Sequence, residues 1–225
     1  MAYILNIETA TKNCSVAIAK DGKTIICKEV SNLGYSHAEK LHAFIEEVLL
    51  KSNINYKELS AIAVSQGPGS YTGLRIGVSA AKGLCFALTI PLISVDTLAV
   101  LAKQLSVADG VIVPMIDARR MEVYSAVFDS NHKKIRAIEA EIITEDSFQD
   151  LKEMVYFVGD CAEKCQTVLT KDNFNFKDDI VFPSAKEMSS LSFEKYLQEN
   201  FENVAYFEPF YLKDFLVTTS KKKPL

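Results

Sequence analysis

The sequence predicts an α/β fold of two similar halves, each a mixed sheet flanked by helices. Three observations lead there. Each half opens with three strand-like segments in succession, and each then alternates helical and strand-like segments. The acid closing the first strand, Glu8 or Asp117, lies thirteen residues before a turn residue, Asp21 or Ser130, in both halves. Self-similarity within one chain signals a supersecondary unit used more than once. Two ββ-β-α-β-α units give the duplicated actin-like plan (ASKHA, ribonuclease H-like in each half) that sugar kinases also use.

The elements follow in order. Residues 3–8 are an apolar run; Cys14, Val16 and Ile18 alternate with Ser15, Ala17 and Ala19; residues 24–30 make a third strand. Lys20-Asp21-Gly22-Lys23 joins the last two as a hairpin, because Asp-Gly tolerates the positive φ that such tight turns need. Ser36, with Glu39 three residues on, forms a capping box for a helix to residue 50 whose apolar face is Leu41, Phe44, Ile45, Val48 and Leu49. A strand at 61–65, a glycine-rich turn, a helix at 73–88, a strand at 92–95 and a helix opened by Asp96 or Thr97 complete the half. Residues 106–110 form the boundary, giving subdomains 1–106 and 107–225. The second half then reads as strands at 111–116, 122–128 and 133–143, with a polar turn at Asp129-Ser130-Asn131-His132. A helix at 145–152, a strand at 154–158, a helix at 160–169, a short strand at 180–182 and a helix at 184–200 follow.

Composition excludes several classes. A chain of 225 residues with 48% hydrophobic and 24% charged residues, 9 Gly, 6 Pro and 5 Cys is neither collagen-like, disordered nor a disulfide framework. Its 25 basic against 29 acidic residues give net −4, without the basic stripe of a free-standing nucleic-acid binder. The one basic run, Lys221-Lys222-Lys223, reads as a solvated tail. Lys82, Asp96 and Lys103 interrupt the most apolar region, so no membrane span is expected. With no leader-like start and five scattered cysteines, the chain is expected in the cytoplasm with reduced thiols. Cys161 and Cys165 lie a helical turn apart but lack the second pair a structural zinc site needs, which makes them small buried residues.

Five of the nine glycines fall between 67 and 83. Gly67-Pro68-Gly69-Ser70-Tyr71-Thr72-Gly73-Leu74-Arg75-Ile76-Gly77 is no P-loop, since no Gly-Lys-Ser/Thr follows. It imitates a dinucleotide fingerprint, but Pro68 removes an N–H that a pyrophosphate would need. The helix after it is apolar nearly all round, with a single polar stripe of Arg75, Ser79 and Lys82. Such a helix is buried on more than one side. Gly73, Gly77 and Ala81 form a flat strip for close approach by another backbone, either of a partner chain or of the first helix of this one.

The catalytic inventory is poor. His37 and His42 are five apart and diverge around a helix, His132 sits in a turn, and no Gly-x-Ser-x-Gly elbow occurs. Glu8 and Asp117 stand where phosphotransferases of this plan place carboxylates for Mg²⁺, yet each also suits capping of the adjoining turn. Gly159-Asp160, between a strand and a helix, offers one weak phosphate turn. No catalytic or metal-binding residue is assigned.

Three segments carry a resemblance to a known family. Ile7-Glu8-Thr9-Ala10-Thr11 with Cys14-Ser15-Val16-Ala17, the Gly67-to-Gly77 run, and Ile116-Asp117-Ala118-Arg119-Arg120 with Glu122-Val123-Tyr124 resemble the TsaB (YeaZ) family. Glu208-Pro209-Phe210-Tyr211-Leu212-Lys213 is similar to its closing segment, and Phe182-Pro183-Ser184-Ala185 to a weaker signature. The family motif thus maps to Glu8, Thr9, Gly67, Pro68, Gly69, Ser70, Thr72, Asp117, Arg119, Glu122 and Tyr124.

The resemblance implies a non-catalytic accessory subunit in forming threonylcarbamoyladenosine at position 37 of tRNA. It implies a heterodimer with a TsaD-like catalytic homologue through the first two helices, here carried by Leu41, Ile45, Gly73, Leu74, Arg75, Ile76, Gly77, Val78, Ala81 and Lys82. A TsaE-like ATPase joins, tRNA engages through the complex, and no cofactor belongs to this chain; ATP/ADP and a metal are expected in the partner subunits. A homodimer through the same helix is expected when the chain is alone. Glu8 stands where the family usually has Asp, and Lys213 where it has Arg. The alternatives are an actin-fold small-molecule kinase using Glu8 and Asp117, and an M22-type metallopeptidase.

Overall fold

The computed structural model describes residues 1–31 and 37–212; the expected cap Ser36, Lys213 and the lysine run at 221–223 lie outside them. In the first sheet β1 (Tyr3–Glu8), β2 (Cys14–Lys20) and β3 (Lys23–Val30) are antiparallel neighbours, and β4 (Leu59–Gly67) and β5 (Leu92–Asp96) continue in parallel from the other side of β1. The order is β3-β2-β1-β4-β5. In the second, β6 (Val111–Asp117), β7 (Glu122–Asp129), β8 (Lys134–Ile142), β9 (Val155–Gly159) and β10 (Phe174–Phe176) stand as β10-β9-β6-β7-β8, with β6 central like β1. The two sheets repeat one topology, and the fold is the duplicated actin-like plan. The Asp21-Gly22 hairpin has φ of 47° and 80°, the paired positive values expected there.

Helices α1 (His37–Ser52) and α2 (Tyr71–Leu88) cover one face of the first sheet. Leu41, Ile45 and Val48 of α1 join Val78, Ala81 and Cys85 of α2 in packing on Leu5, Ile7, Val16, Ile62 and Val64. α3 (Thr97–Ala102) begins at Asp96, whose Oδ1 accepts from the N–H groups of Leu98 (2.8 Å) and Ala99 (3.2 Å). Its residues divide: Val100 enters the other face of the first sheet, and Leu98, Leu101 and Ala102 enter the second. α3 is therefore the wedge that joins the sheets.

Helix α5 (Ala185–Leu197) follows the second half in sequence but packs on the first sheet, with Ala185 and Met188 against Ile4, Ala17, Ala63 and Ile93. Ser192 donates to Asn6 Oδ1 at 2.7 Å, and Ser15 Oγ accepts from the Ala185 N–H at 3.0 Å. In the second half the expected helix at 145–152 is a series of turns, because Phe148 takes φ of 60° and drives its ring edge-on against Phe157 at 5.5 Å. The expected strand at 180–182 is replaced by β10, which seats Phe174 and Phe176 against Phe157 at 5.2 and 4.7 Å. Of the helix expected at 160–169 only α4 (Ala162–Gln166) forms. Cys161 and Cys165 are fully buried, and all five cysteines are free thiols. Among the described residues no helix is long and apolar enough to cross a membrane.

Candidate functional site

β1 ends at Glu8, deep between β2 and β4. Its carboxyl is fully buried; Oε1 accepts from the Ala10 N–H (2.6 Å) and the Ser65 hydroxyl (3.1 Å), and Oε2 has no partner among the described residues. Burial pushes this carboxyl up to about 7, against the partial pull of those two donors. The acid thus turns inward to hold the connection that follows it.

That connection fills the glycine run. Thr9 Oγ1 donates to the Gly73 carbonyl at 2.8 Å, and the Ala10 carbonyl accepts from the Ser70 N–H at 2.7 Å. A Cβ on Gly69 would meet the Ala10 oxygen at 2.3 Å, one on Gly73 the Thr9 oxygen at 2.1 Å, and one on Gly77 the Thr9 Oγ1 at 2.3 Å. Any side chain at these three positions would collide with the chain's own β1–β2 connection. Gly67, at φ of 110°, donates its N–H to Thr97 Oγ1 at 3.1 Å, and a Cβ on it would meet the Phe210 carbonyl oxygen at 2.7 Å. Pro68 is buried, Ser70 caps α2 by accepting from the Gly73 N–H at 3.3 Å, and Thr72 is exposed.

The actin-like plan implies a nucleotide with Mg²⁺ between the halves, and the residues present do not fit one. The Glu8 carboxyl is enclosed, and the glycine cradle holds Thr9 and Ala10. In the second half the Gly159 N–H is used by the Ile180 carbonyl at 2.8 Å, and Asp160 Oδ1 accepts from the Asp117 N–H at 2.9 Å. A carboxylate there repels phosphate, and α4 is too short to offer an N-terminal field. The phosphate-turn expectation at Gly159-Asp160 is corrected accordingly. Asp117 is exposed, but its Oδ1 is shared by the Lys164 ammonium and the Arg119 N–H. Among the described residues no three of His, Cys, Asp and Glu stand close enough to hold a metal ion. His37 is buried with Nε2 2.7 Å from the Thr11 carbonyl, while His42 is exposed.

The residues expected at the partner surface divide by burial. Leu41, Ile45, Gly73, Leu74, Gly77, Val78 and Ala81 lie inside the core and present nothing outward. The small-residue strip Gly73–Gly77–Ala81 receives Thr9 and the sheet rather than a second chain, because the β1–β2 connection needs that space. Arg75 and Lys82 are engaged by the closing segment of the chain itself. Lys82 donates to the carbonyls of Ala205 and Phe207, both at 3.0 Å; Arg75 donates to the Tyr211 hydroxyl at 3.3 Å and lies 4.2 Å over the Tyr71 ring. Tyr211 in turn packs on Tyr71 at 5.0 Å, and the Phe210 N–H donates to the Gln66 carbonyl at 2.7 Å. Ile76 is half-buried.

Beyond Thr72 and Arg75, α2 exposes Ser79, Gly83, Phe86 and Ala87, with Phe86 85% exposed and, among the described residues, nothing within 4 Å of a Cβ on Gly83. Lys82, Gly83 and Phe86 face residues 203–205 across an open apolar groove, and Leu50 of α1 is 82% exposed. Sequence reasoning missed Phe86. Its signal was present: it falls four residues after Lys82, as an aromatic in the stripe otherwise read as polar.

Known proteins share this fold. The family model "TsaD: tRNA N6-adenosine threonylcarbamoyltransferase" matches residues 31–220. The TsaB protein of Haemophilus influenzae is 30% identical, covering 98% of this chain and 97% of its own. By contrast, the tRNA N6-adenosine threonylcarbamoyltransferase of Bacillus subtilis is 38% identical over only 43% of this chain and 32% of its own. In structure, YeaZ from Pseudomonas aeruginosa superposes with a TM-score of 0.82 at 23% identity, covering 94% of this chain and 100% of that one. Of these relatives the TsaB protein matches over its full length and the transferase only in part, while the transferase-family model spans most of the chain; the chain belongs to the TsaB (YeaZ) family of tRNA threonylcarbamoyladenosine biosynthesis proteins.

Proposed function

We propose that the chain is a non-catalytic accessory subunit in the cytoplasm that docks on a TsaD-like transferase to support threonylcarbamoyl transfer to adenosine 37 of tRNA. The carrying observation is the β1–β2 connection filling the glycine cradle while Glu8 is enclosed, which leaves that turn and that carboxyl unsuited to hold a phosphate or its Mg²⁺. ATP/ADP and a metal then belong to the partner subunits, including a TsaE-like ATPase, and tRNA meets the assembly as a whole. The same observation argues against the kinase reading, and the lack of converging ligands among the described residues gives the metallopeptidase reading no support.

The docking face is the outer side of α1 and α2 around Phe86, Gly83, Ala87 and Leu50, where each helix leaves one large apolar side chain exposed. Without the partner, two copies pair through this face. Phe86→Asp leaves the fold intact, because the ring contributes nothing to the core, and weakens association with the transferase at least about tenfold by calorimetry. Unchanged association would exclude this face as the docking surface. Val78→Asp is the contrasting control: it buries a charge and unfolds the chain.

A further inference from the structure

The turn after β6 is the one motif that the accessory role leaves unused. Arg119 and Arg120 both lie in the left-handed region, at φ of 75° and 54°. Two adjacent non-glycine residues there are costly, and Gly, Asn or Asp would adopt the same turn more easily. The strain is held by a dense set of bonds. Lys164 donates to Asp117 Oδ1, to the Arg120 carbonyl at 2.8 Å and to the Glu122 carbonyl at 3.0 Å; the Ala118 N–H donates to the Glu122 carbonyl at 3.1 Å. The Lys164 ammonium is consumed in pinning the backbone. The arginine side chains are not: both residues are exposed, and among the described residues neither guanidinium is tied to an acid.

Two of the nearby acids are already answered, Asp117 by Lys164 and the Arg119 N–H, and Asp160 by the Asp117 N–H, and Glu122 is not without a partner. In a chain of net charge −4, a rigid turn presenting two uncommitted guanidinium groups has the chemistry of a phosphodiester contact.

We propose that Arg119 and Arg120 form a phosphate-backbone contact for the tRNA on which the assembly acts. This rests on the function proposed above and adds a direct RNA contact by this chain. Such contacts position an RNA without reading its sequence, which suits a subunit serving several tRNAs.

The test measures binding of a labelled tRNA transcript carrying adenosine at position 37 to this chain assembled with its transferase, from 50 to 300 mM KCl. Arg119→Ala with Arg120→Ala weakens binding at least about tenfold at 150 mM and flattens the log–log salt slope by about 1.5. Arg119→Gly with Arg120→Gly suits the left-handed backbone and gives the same loss, which separates charge from folding. Lys23→Ala with Lys57→Ala removes the same charge from exposed sites elsewhere and leaves the slope in place. An unchanged slope in both arginine pairs, or an equal loss in the lysine pair, overturns the proposal. So does an effect confined to ATP, measured as a lone competitor, with RNA affinity intact. Omitting the chain from the same mixture while measuring threonylcarbamoyladenosine separates the two ideas. Product that needs the chain, with an unchanged slope, sinks only the contact; product that does not need it sinks the underlying reading.

Discussion

Replacing Glu8 by Gln tests the enclosed carboxyl most sharply. The folded chain holds this group at about 7, against 4.5 for the ordinary carboxyl, because burial penalises its charge. The folded state therefore keeps a proton that the unfolded state releases between those values. The sign follows: the group's contribution is fully present below about 4.5 and is lost as pH rises through 7. The loss amounts to about 3 kcal/mol, at roughly 1.4 kcal/mol per pH unit of separation. Gln is neutral throughout. Its amide oxygen can still accept from Ala10 and Ser65, while its NH₂ takes the place of the unpartnered Oε2 and costs about 1 kcal/mol as a buried donor. The two proteins should thus unfold in urea with nearly equal free energies at about pH 5. At pH 8 the variant should be about 2 kcal/mol more stable, or roughly 4–8 °C higher in melting midpoint for a chain of this size. The difference between the two pH profiles removes every other titration. Parallel profiles, or a variant less stable than the parent at pH 8, would refute the reasoning.

Other consequences are simpler to read. Gly73→Ala forces a Cβ to 2.1 Å from the Thr9 oxygen and should cost at least about 3 kcal/mol in denaturant unfolding, whereas Gly83→Ala meets nothing within 4 Å and should gain up to about 1 kcal/mol of helix propensity. Equal effects at the two glycines would contradict the filled cradle. Lys164→Met removes the donor to Asp117 and two carbonyls and should lower stability by about 1–2 kcal/mol, with amide exchange quickening at 118–122. If exchange there stays slow, the turn is not pinned by Lys164.

The first half was legible in the sequence because its local signals agree with its packing. Asp21-Gly22 has the turn its residues demand, the period-two run of β2 lies on a sheet buried on both faces, and Asp96 caps the helix it precedes. The second half was less so. Residues 145–151 have helical polarity, but Phe148 gains more by entering the core against Phe157 than by staying in a helix. The placement of α5 on the first sheet depends on contacts across more than 150 residues, such as Ser192 with Asn6, which local pattern does not encode. At the site, the glycine cluster was found but what approaches it was left open between a partner chain and the first helix. Glycines four apart on an apolar helix mark close approach, yet nothing local says whether the approaching backbone is foreign or, as here, Thr9 and Ala10 of the same chain. The polar stripe of α2 misled for a related reason: Arg75 and Lys82 are held by Tyr211, Ala205 and Phe207, from the distant end of the described chain.

In the function proposed above, this chain supports a transfer reaction that it does not itself perform. Reconstitution from the organism's own components puts that to the test, with threonylcarbamoyladenosine in tRNA measured by nucleoside mass spectrometry. Three mixtures are compared: with the chain, without it, and with Phe86→Asp in its place. Product is expected in the first mixture, with most of it lost in the other two. Equal product without the chain would contradict the accessory role.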